Sequence, residues 1–290
     1  MEELVEPTAR RPERATVDIR RASMRAVYII WKRDVLRYWR DRVRLVGALA
    51  QPLLFLVILG TGLASALRGA GGNLAGFDYQ QFMYPGIIGM AVLFTSVFSA
   101  MSIVWDREFG FLREVLVAPI DRSAVAIGKA LGGATQATVQ GLILLVLAPL
   151  VGVRLTPLAV LEVIGLVFCL SFALTSVGVA VAARMESMMG FQFVVNFMVQ
   201  PAFFLSGAMF PLTGLPGWMT VLTRLDPLAY GVDPIRRVVL GAGGTPGALL
   251  DRLSLTLGGQ PVAIWVEVAV LAAFGLAALS AAIWSFRQRG

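Results

Sequence analysis

Six long apolar stretches, separated by short polar segments, constrain this chain more than any other feature. Leu45–Leu67, Tyr79–Trp105 and Ala130–Val153 contain no Asp, Glu, Lys or Arg, while Leu155–Ala183 and Gln260–Phe286 carry one carboxylate each, Glu162 and Glu267. Ser187–Thr223 is the longest uncharged run, and Pro201, Pro211 and Pro216 divide it. A helix rises about 1.5 Å per residue, so crossing a hydrocarbon core of roughly 30 Å takes about 20 residues. Every run clears that length. A mean hydropathy of +0.76 agrees with the count, since a soluble core would alternate shorter runs with charge. The sequence reads as an all-α membrane protein with six spans, at about 45–67, 82–105, 130–153, 157–183, 188–210 and 262–286.

Within 290 residues, six spans use about half of the chain and leave no room for a soluble catalytic domain. The absence of histidine excludes His-based acid–base chemistry and His-ligated metal or haem, and the lone Cys169 excludes a disulfide framework. No cofactor is expected. The net charge of +7 is concentrated before the first span, in Arg10, Arg11, Arg14, Arg20, Arg21, Arg25, Lys32, Arg33, Arg37, Arg40, Arg42 and Arg44. That placement suits a topology signal and anionic lipid rather than nucleic acid. With the N-terminus inside, nineteen basic residues fall on inner segments against six on outer ones, which puts both termini in the cytoplasm. The first apolar run begins too late and is too long for a cleaved signal peptide.

Residues 1–21 read as a disordered cytoplasmic tail, 22–44 as an amphipathic interfacial helix and 45–290 as the transmembrane domain. In the interfacial helix Met24, Val27, Tyr28, Trp31, Val35, Tyr38 and Trp39 recur at steps of three and four, beside a stripe of Arg33, Arg37, Arg40 and Arg44. Tyr and Trp next to Arg suit the cytoplasmic membrane–water boundary. Before the last span, about Gly207–Gly259, Pro and Gly punctuate apolar pieces too short to span, which suggests re-entrant or interfacial helices capping the outer mouth.

The only Gly-Lys pair, Gly128-Lys129, is followed by Ala130, so no phosphate-binding loop is present and energy for uphill transport must come from a partner or an ion gradient. Asp106–Arg122 (DREFGFLREVLVAPIDR) combines dense mixed charge with Phe109, Leu112 and Leu116 at helical spacing and a stop at Pro119. Such a helix can dock in a groove of another protein; a solvated loop fits the same spacing. Gln192, Asn196 and Gln200 form one stripe on span five, and Thr95, Ser99 and Ser102 a milder one on span two. Polar groups within spans face protein or water, so these stripes either line a path or bond between helices. Glu162 and Glu267, near the ends of their spans, read as water-reachable carboxylates, with proton coupling as the alternative.

The Asp106 loop and the segment Gly207–Gly241 together resemble the permease subunits of type-2 ABC exporters, in particular the daunorubicin-exporter and nodulation-exporter branch. The resemblance rests on Phe210-Pro211, Leu215-Pro216 with Trp218, Pro227-Leu228-Ala229-Tyr230, Arg236 and Leu240-Gly241, and on the order of helix, spans, loop and external segment. It implies an export permease of a prokaryotic inner membrane with no nucleotide site of its own. Its partners would be two copies of a separate ATP-binding cassette ATPase and a second permease copy, the same chain or a related one. It also implies that Asp106, Arg107, Glu108, Phe109, Leu112, Arg113 and Glu114 couple to the ATPase. Thr95, Phe98, Ser99, Ser102, Gln192, Asn196, Gln200 and Phe203 would then line a path for an amphipathic, drug-like or lipid-like substrate. A polysaccharide or glycolipid cargo, a proton-coupled secondary transporter and a membrane scaffold are the rival readings.

Overall fold

The computed structural model describes residues 19–69, 79–109, 121–257 and 259–288. The chain is mostly helical, as an apolar solvent demands, because a spanning segment must satisfy its own backbone N–H and C=O groups. Helix α1 (Ile19–Arg40) leads into a long apolar segment made of α2 (Arg42–Leu54), a π-helical turn (Phe55–Leu59) and α3 (Gly60–Gly69). Then follow α4 (Tyr79–Ser99), α5 (Met101–Glu108), α6 (Arg122–Val146), α7 (Pro157–Ala182) and α8 (Met188–Leu205). Short helices α9 (Gly217–Leu225), α10 (Ala229–Ala242) and α11 (Gly247–Leu253) precede a two-stranded hairpin and α12 (Ile264–Gln288). In the hairpin β1 (Thr256–Leu257) runs antiparallel to β2 (Gln260–Pro261), with Thr256 opposite Pro261.

Among the described residues, five segments are long and apolar enough to cross a membrane: Arg42–Ala66, Tyr79–Glu108, Pro157–Ala182, Met188–Leu205 and Ile264–Gln288. They match five of the six apolar runs. The remaining run lies in α6, which starts earlier than expected, at Arg122, because Asp121 accepts the Ser123 N–H at 2.8 Å and caps it. Lys129, Gln136, Gln140 and several glycines make α6 less apolar than the five. Its neighbours α1, α4, α7 and α12 enclose it, so it has little perimeter to present to lipid. Local chemistry also moves the first boundary. Asp41 leaves helical backbone and accepts the Arg44 N–H at 3.0 Å, so one expected helix over 22–44 becomes α1 and the first turn of α2. Residues 1–18 of the expected tail lie outside the described residues.

Helices α4, α6 and α7 pack on one another at the centre, with α12 along α7, α1 along α6, and α10 between α4 and α7. The most apolar stretch of Tyr79–Glu108 is 78% buried, against 17% for Arg42–Ala66 and 22% each for Met188–Leu205 and Ile264–Gln288, so these three lie at the periphery. On one side Arg42–Ala66 and α8 meet at the rim, where the Phe55 and Phe203 rings stand edge to face, 6.2 Å between centroids.

At the end of the bundle away from α1, the short helices are fixed by buried charge. Arg236 is 1% exposed. Its guanidinium donates to the Gly207 carbonyl and lies 4.3 Å from the Phe82 ring centroid, and burial holds its pKa down at about 10. Arg237 bridges Asp233 at 3.0 Å and Glu267 at 2.5 Å, while Asp233 also accepts the Leu255 N–H at 3.0 Å. Glu267 is therefore not water-reachable as its place near a helix end suggested. Packing of α10 against the start of α12 buries it completely and supplies its cation. Glu162 on α7 is exposed, as expected. Asp226, which accepts the Leu228 N–H at 3.0 Å ahead of α10, is pushed up by burial to about 7.

Gly86 on α4 sits directly on the turn after α8: a Cβ there would lie 2.3 Å from the Ala208 carbonyl oxygen. Gly86→Ala is expected to lower the thermal midpoint of the detergent-solubilised protein by the equivalent of about 1–3 kcal/mol, because that turn must move. Gly62→Ala, with nothing within 4 Å, should leave it unchanged or slightly raised. Equal melting of both variants would contradict this packing.

Candidate functional site

Helix α1 carries many basic residues and a single acid, Asp34, and it turns that acid inward against α6. The approach is close because Gly132 of α6 has no side chain; a Cβ there would lie 3.2 Å from the Asp34 Cβ. A polar seam fixes the register. Trp31 Nε1 donates to Thr135 Oγ1 at 3.0 Å, Gln136 Nε2 to the Asp34 carbonyl at 3.2 Å, and Tyr38 Oη to Gln140 Oε1 at 2.7 Å. Burial pushes the Tyr38 hydroxyl up to about 12, so it remains a donor at any physiological pH.

One turn before Gly132, Lys129 places its ammonium between two helices. Its Nζ lies 3.1 Å from Asp34 Oδ2, 2.9 Å from Asp106 Oδ2 and 2.9 Å from Ser102 Oγ. Arg33 completes the group, 2.9 Å from Asp106 and 3.3 Å from Asp34. Two cations thus balance two carboxylates where α1, α5 and α6 meet. The Lys129 side chain is only 3% exposed. Removing one member of such a buried cluster typically costs about 3–5 kcal/mol, since it strands the remaining charge.

The predicted coupling residues continue from this junction. Asp106 and Arg107 are engaged within the chain: Arg107 donates to the Met185 carbonyl and, at 3.0 Å, to that of Ala183, tying α5 to the carbonyl end of α7. Glu108 and Phe109 are exposed, Phe109 by 77%. Leu112, Arg113 and Glu114 lie outside the described residues. Nearby, the Asp121 N–H donates to Ser23 Oγ at 3.0 Å and its carboxylate lies 3.9 Å from Arg287, so the beginning of α1 and the end of α12 share this end of the bundle. The backbone N–H of Ser123 holds the Asp121 carboxyl below its usual range.

The predicted pathway residues divide into two groups. On α8, Phe191, Val195, Val199 and Phe203 face the bundle, whereas Gln192, Asn196 and Gln200 are exposed beside Phe193 and Phe197. Thr95 and Ser99 of α4 are buried; Ser99 Oγ donates to the Ser96 carbonyl at 2.7 Å, and Ser102 Oγ to the Ser99 carbonyl at 3.0 Å. Phe98 stacks on Phe94, 6.2 Å between centroids. Phe98, Ser99 and Ser102 line a cavity of about 260 Å³ beneath α1. The amides and the hydroxyls therefore do not share one surface of the chain. Sequence reasoning missed the pairing of Lys129 with Asp34. Its signals were a lysine opening an otherwise uncharged run and the lone acid in an Arg-rich helix.

Residues 25–240, from α1 into α10, match the ABC-2 type transporter family. The chain is 30% identical over 224 residues to Nodulation protein J of Rhizobium leguminosarum bv. trifolii, covering 76% of this chain and 80% of that one. It is 29% identical over 212 residues to the putative transport permease ycf38 of Cyanophora paradoxa, covering 72% of each. The inner membrane transport permease YadH of Escherichia coli K12 is 28% identical over 273 residues, which covers 91% of this chain and 95% of YadH. The match takes in every helix that builds the Lys129 junction, and the chain belongs to the ABC-2 type transporter family of membrane transport permeases.

Proposed function

We propose that the chain is the membrane subunit of an ATP-driven exporter in a prokaryotic inner membrane, working as a pair and driven by two separate ATP-binding cassette subunits. The Lys129 junction is the observation that carries this reading. It ties α1 and α6 to the helix that ends in exposed Glu108 and Phe109, so a push on that end is passed into the central helices. In this reading α6 is the third of six crossings, α1 lies along the cytoplasmic leaflet, and both termini are cytoplasmic. The gathering of α1, α5 and the end of α12 at one end of the bundle supports it. The ATPase engages Glu108 and Phe109 and the sequence that follows, Leu112, Arg113 and Glu114. Short helices α9 to α11 cap the outer mouth.

The second copy meets the rim formed by Arg42–Ala66 and α8, and the cargo is amphipathic. Amides turned toward lipid are unfavourable, so the exposed Gln192, Asn196 and Gln200 call for a protein or water environment that one chain does not provide. Phe203 and the neighbouring exposed Phe204 offer aromatic surface beside them. A proton-coupled carrier built on Glu267 has less support, because Arg237 and Asp233 already hold that carboxylate in a buried structural role.

The coupling assignment is tested by Glu108→Lys with Phe109→Ala. The double variant is expected to insert and melt as wild type, because neither side chain is packed. Co-purification with the ATPase, or substrate-stimulated hydrolysis, should fall by about tenfold or more, corresponding to some 1.4 kcal/mol of lost contact. Unchanged assembly and stimulation would sink it.

Single cysteines at 192, 196 and 200, with Cys169 replaced, test the path. A polar thiol reagent is expected to label them, and substrate to slow that labelling. If all three stay unreactive with and without ATP while Leu replacements merely reduce protein abundance, the amides serve packing alone.

A further inference from the structure

Asn196 is the ninth of the eighteen residues of α8, so in a spanning helix it lies near mid-bilayer, with Gln192 and Gln200 about one turn to either side. All three side chains are exposed, and their amides bond to nothing among the described residues. The helix carries no charged residue that would draw ions or water to this depth. Lipid tails offer an amide neither donor nor acceptor. A carboxamide has both, so the group that best satisfies one is another carboxamide. Residues spaced four apart form a single ridge on a helix, and here that ridge holds a short amide at its centre and a longer one on each flank.

We infer that in the resting pair the Asn196 side chains of two copies hydrogen-bond to each other, and Gln192 and Gln200 likewise, so that a three-rung amide ladder shuts the path. The inference rests on the proposed pairing of two copies across α8. Copies inserted with the same orientation are related by a two-fold axis along the membrane normal, which brings identical residues to the same depth. Two such ridges pack with their helices inclined, so the axes come closest at one point and separate on either side. The order of residues fits that geometry. Asn196, the shortest of the three, stands at the closest approach, and the extra methylene of each Gln extends its reach where the backbones diverge. Uncharged rungs also open readily to an amphipathic cargo, whose polar groups can replace one carboxamide by another hydrogen bond. Phe193 and Phe197 lie about 100° further around the helix and flank the ladder with exposed aromatic surface for the apolar part of that cargo.

The test uses the full-length chain with Cys169→Ala, assembled with its ATPase in membranes without nucleotide. Gln192→Cys, Phe193→Cys, Asn196→Cys, Phe197→Cys and Gln200→Cys are introduced singly and oxidised. Asn196→Cys should form a disulfide between copies about tenfold faster than Phe193→Cys or Phe197→Cys, because the bond needs Cα atoms within about 7 Å. Gln192→Cys and Gln200→Cys should link more slowly by oxidation but fully through a short bis-maleimide. Separately, differently tagged Asn196→Asp and Asn196→Lys chains are expressed together. Mixed pairs should be recovered severalfold over matched ones, since opposite charges meet in the former and like charges in the latter. Absence of the Asn196→Cys link, equal linking from positions 193 and 197, or matched pairs recovered as often as mixed ones would each overturn the ladder. Labelling by a polar thiol reagent tells the two readings apart. Cysteines at 192, 196 and 200 that are labelled but never link discard the ladder and keep the path along α8; cysteines that neither label nor link discard both.

Discussion

An ammonium taken out of water must find carboxylates, and Lys129 finds them on two different helices. Asp34 comes from α1 and Asp106 from the end of α5, so neither helix can shift against α6 without stretching a contact near 3 Å. Desolvation makes such a cluster a weak source of net stability, because well-packed apolar residues can be as stable. Its effect is better sought in geometry. Three helices are held to one arrangement at the end of the molecule where Glu108 and Phe109 stand exposed, and the glycines of α6 let α1 come close enough for the pairing to form.

The other end of the bundle solves the same problem with arginines. Arg236 clamps the turn after α8 to α4, and Arg237 joins α10 to α12 through Asp233 and Glu267. Between these two sets of buried charge the central helices α4, α6 and α7 are tightly packed, while the first apolar segment, α8 and α12 keep broad faces uncovered. In the proposed paired exporter, a firm centre with an open rim would let a force applied at α5 move helices as a unit and leave the rim to meet a second copy.

Five spans were legible from apolar run length alone, because hydrocarbon thickness sets a length that charge-free stretches reveal directly. The start of α6 was not legible, since a helix enclosed by its neighbours begins at its Asp121 cap rather than where charge ends. The same holds at Asp41, whose side chain caps α2 and splits what amphipathic spacing presents as one helix. Periodicity found the amide stripe of α8 and its exposure agrees with that spacing, yet of the second stripe the hydroxyls of Ser99 on α4 and Ser102 on α5 are spent on backbone carbonyls and on Lys129. Glu267 went astray for a related reason. Its distance from the helix end was visible, but α10, folding back from some 30 residues earlier, was needed to bury it. Long-range pairing of charge is what spacing along one segment cannot carry.

The direct measurement is the amount of substrate moved per ATP hydrolysed by the reconstituted complex when the junction is removed without stranding a buried charge. Asp34→Asn, Lys129→Met and Asp106→Asn together exchange the buried ions for neutral groups of similar size and leave only Arg33, whose side chain is 37% exposed and so reached by solvent, which spares the fold the cost of an unpaired buried ion. Mechanical transmission through Lys129 predicts that this triple variant keeps its ATPase and its basal hydrolysis but moves severalfold less substrate per ATP. Wild-type transport per ATP from a folded, assembled triple variant would contradict the account.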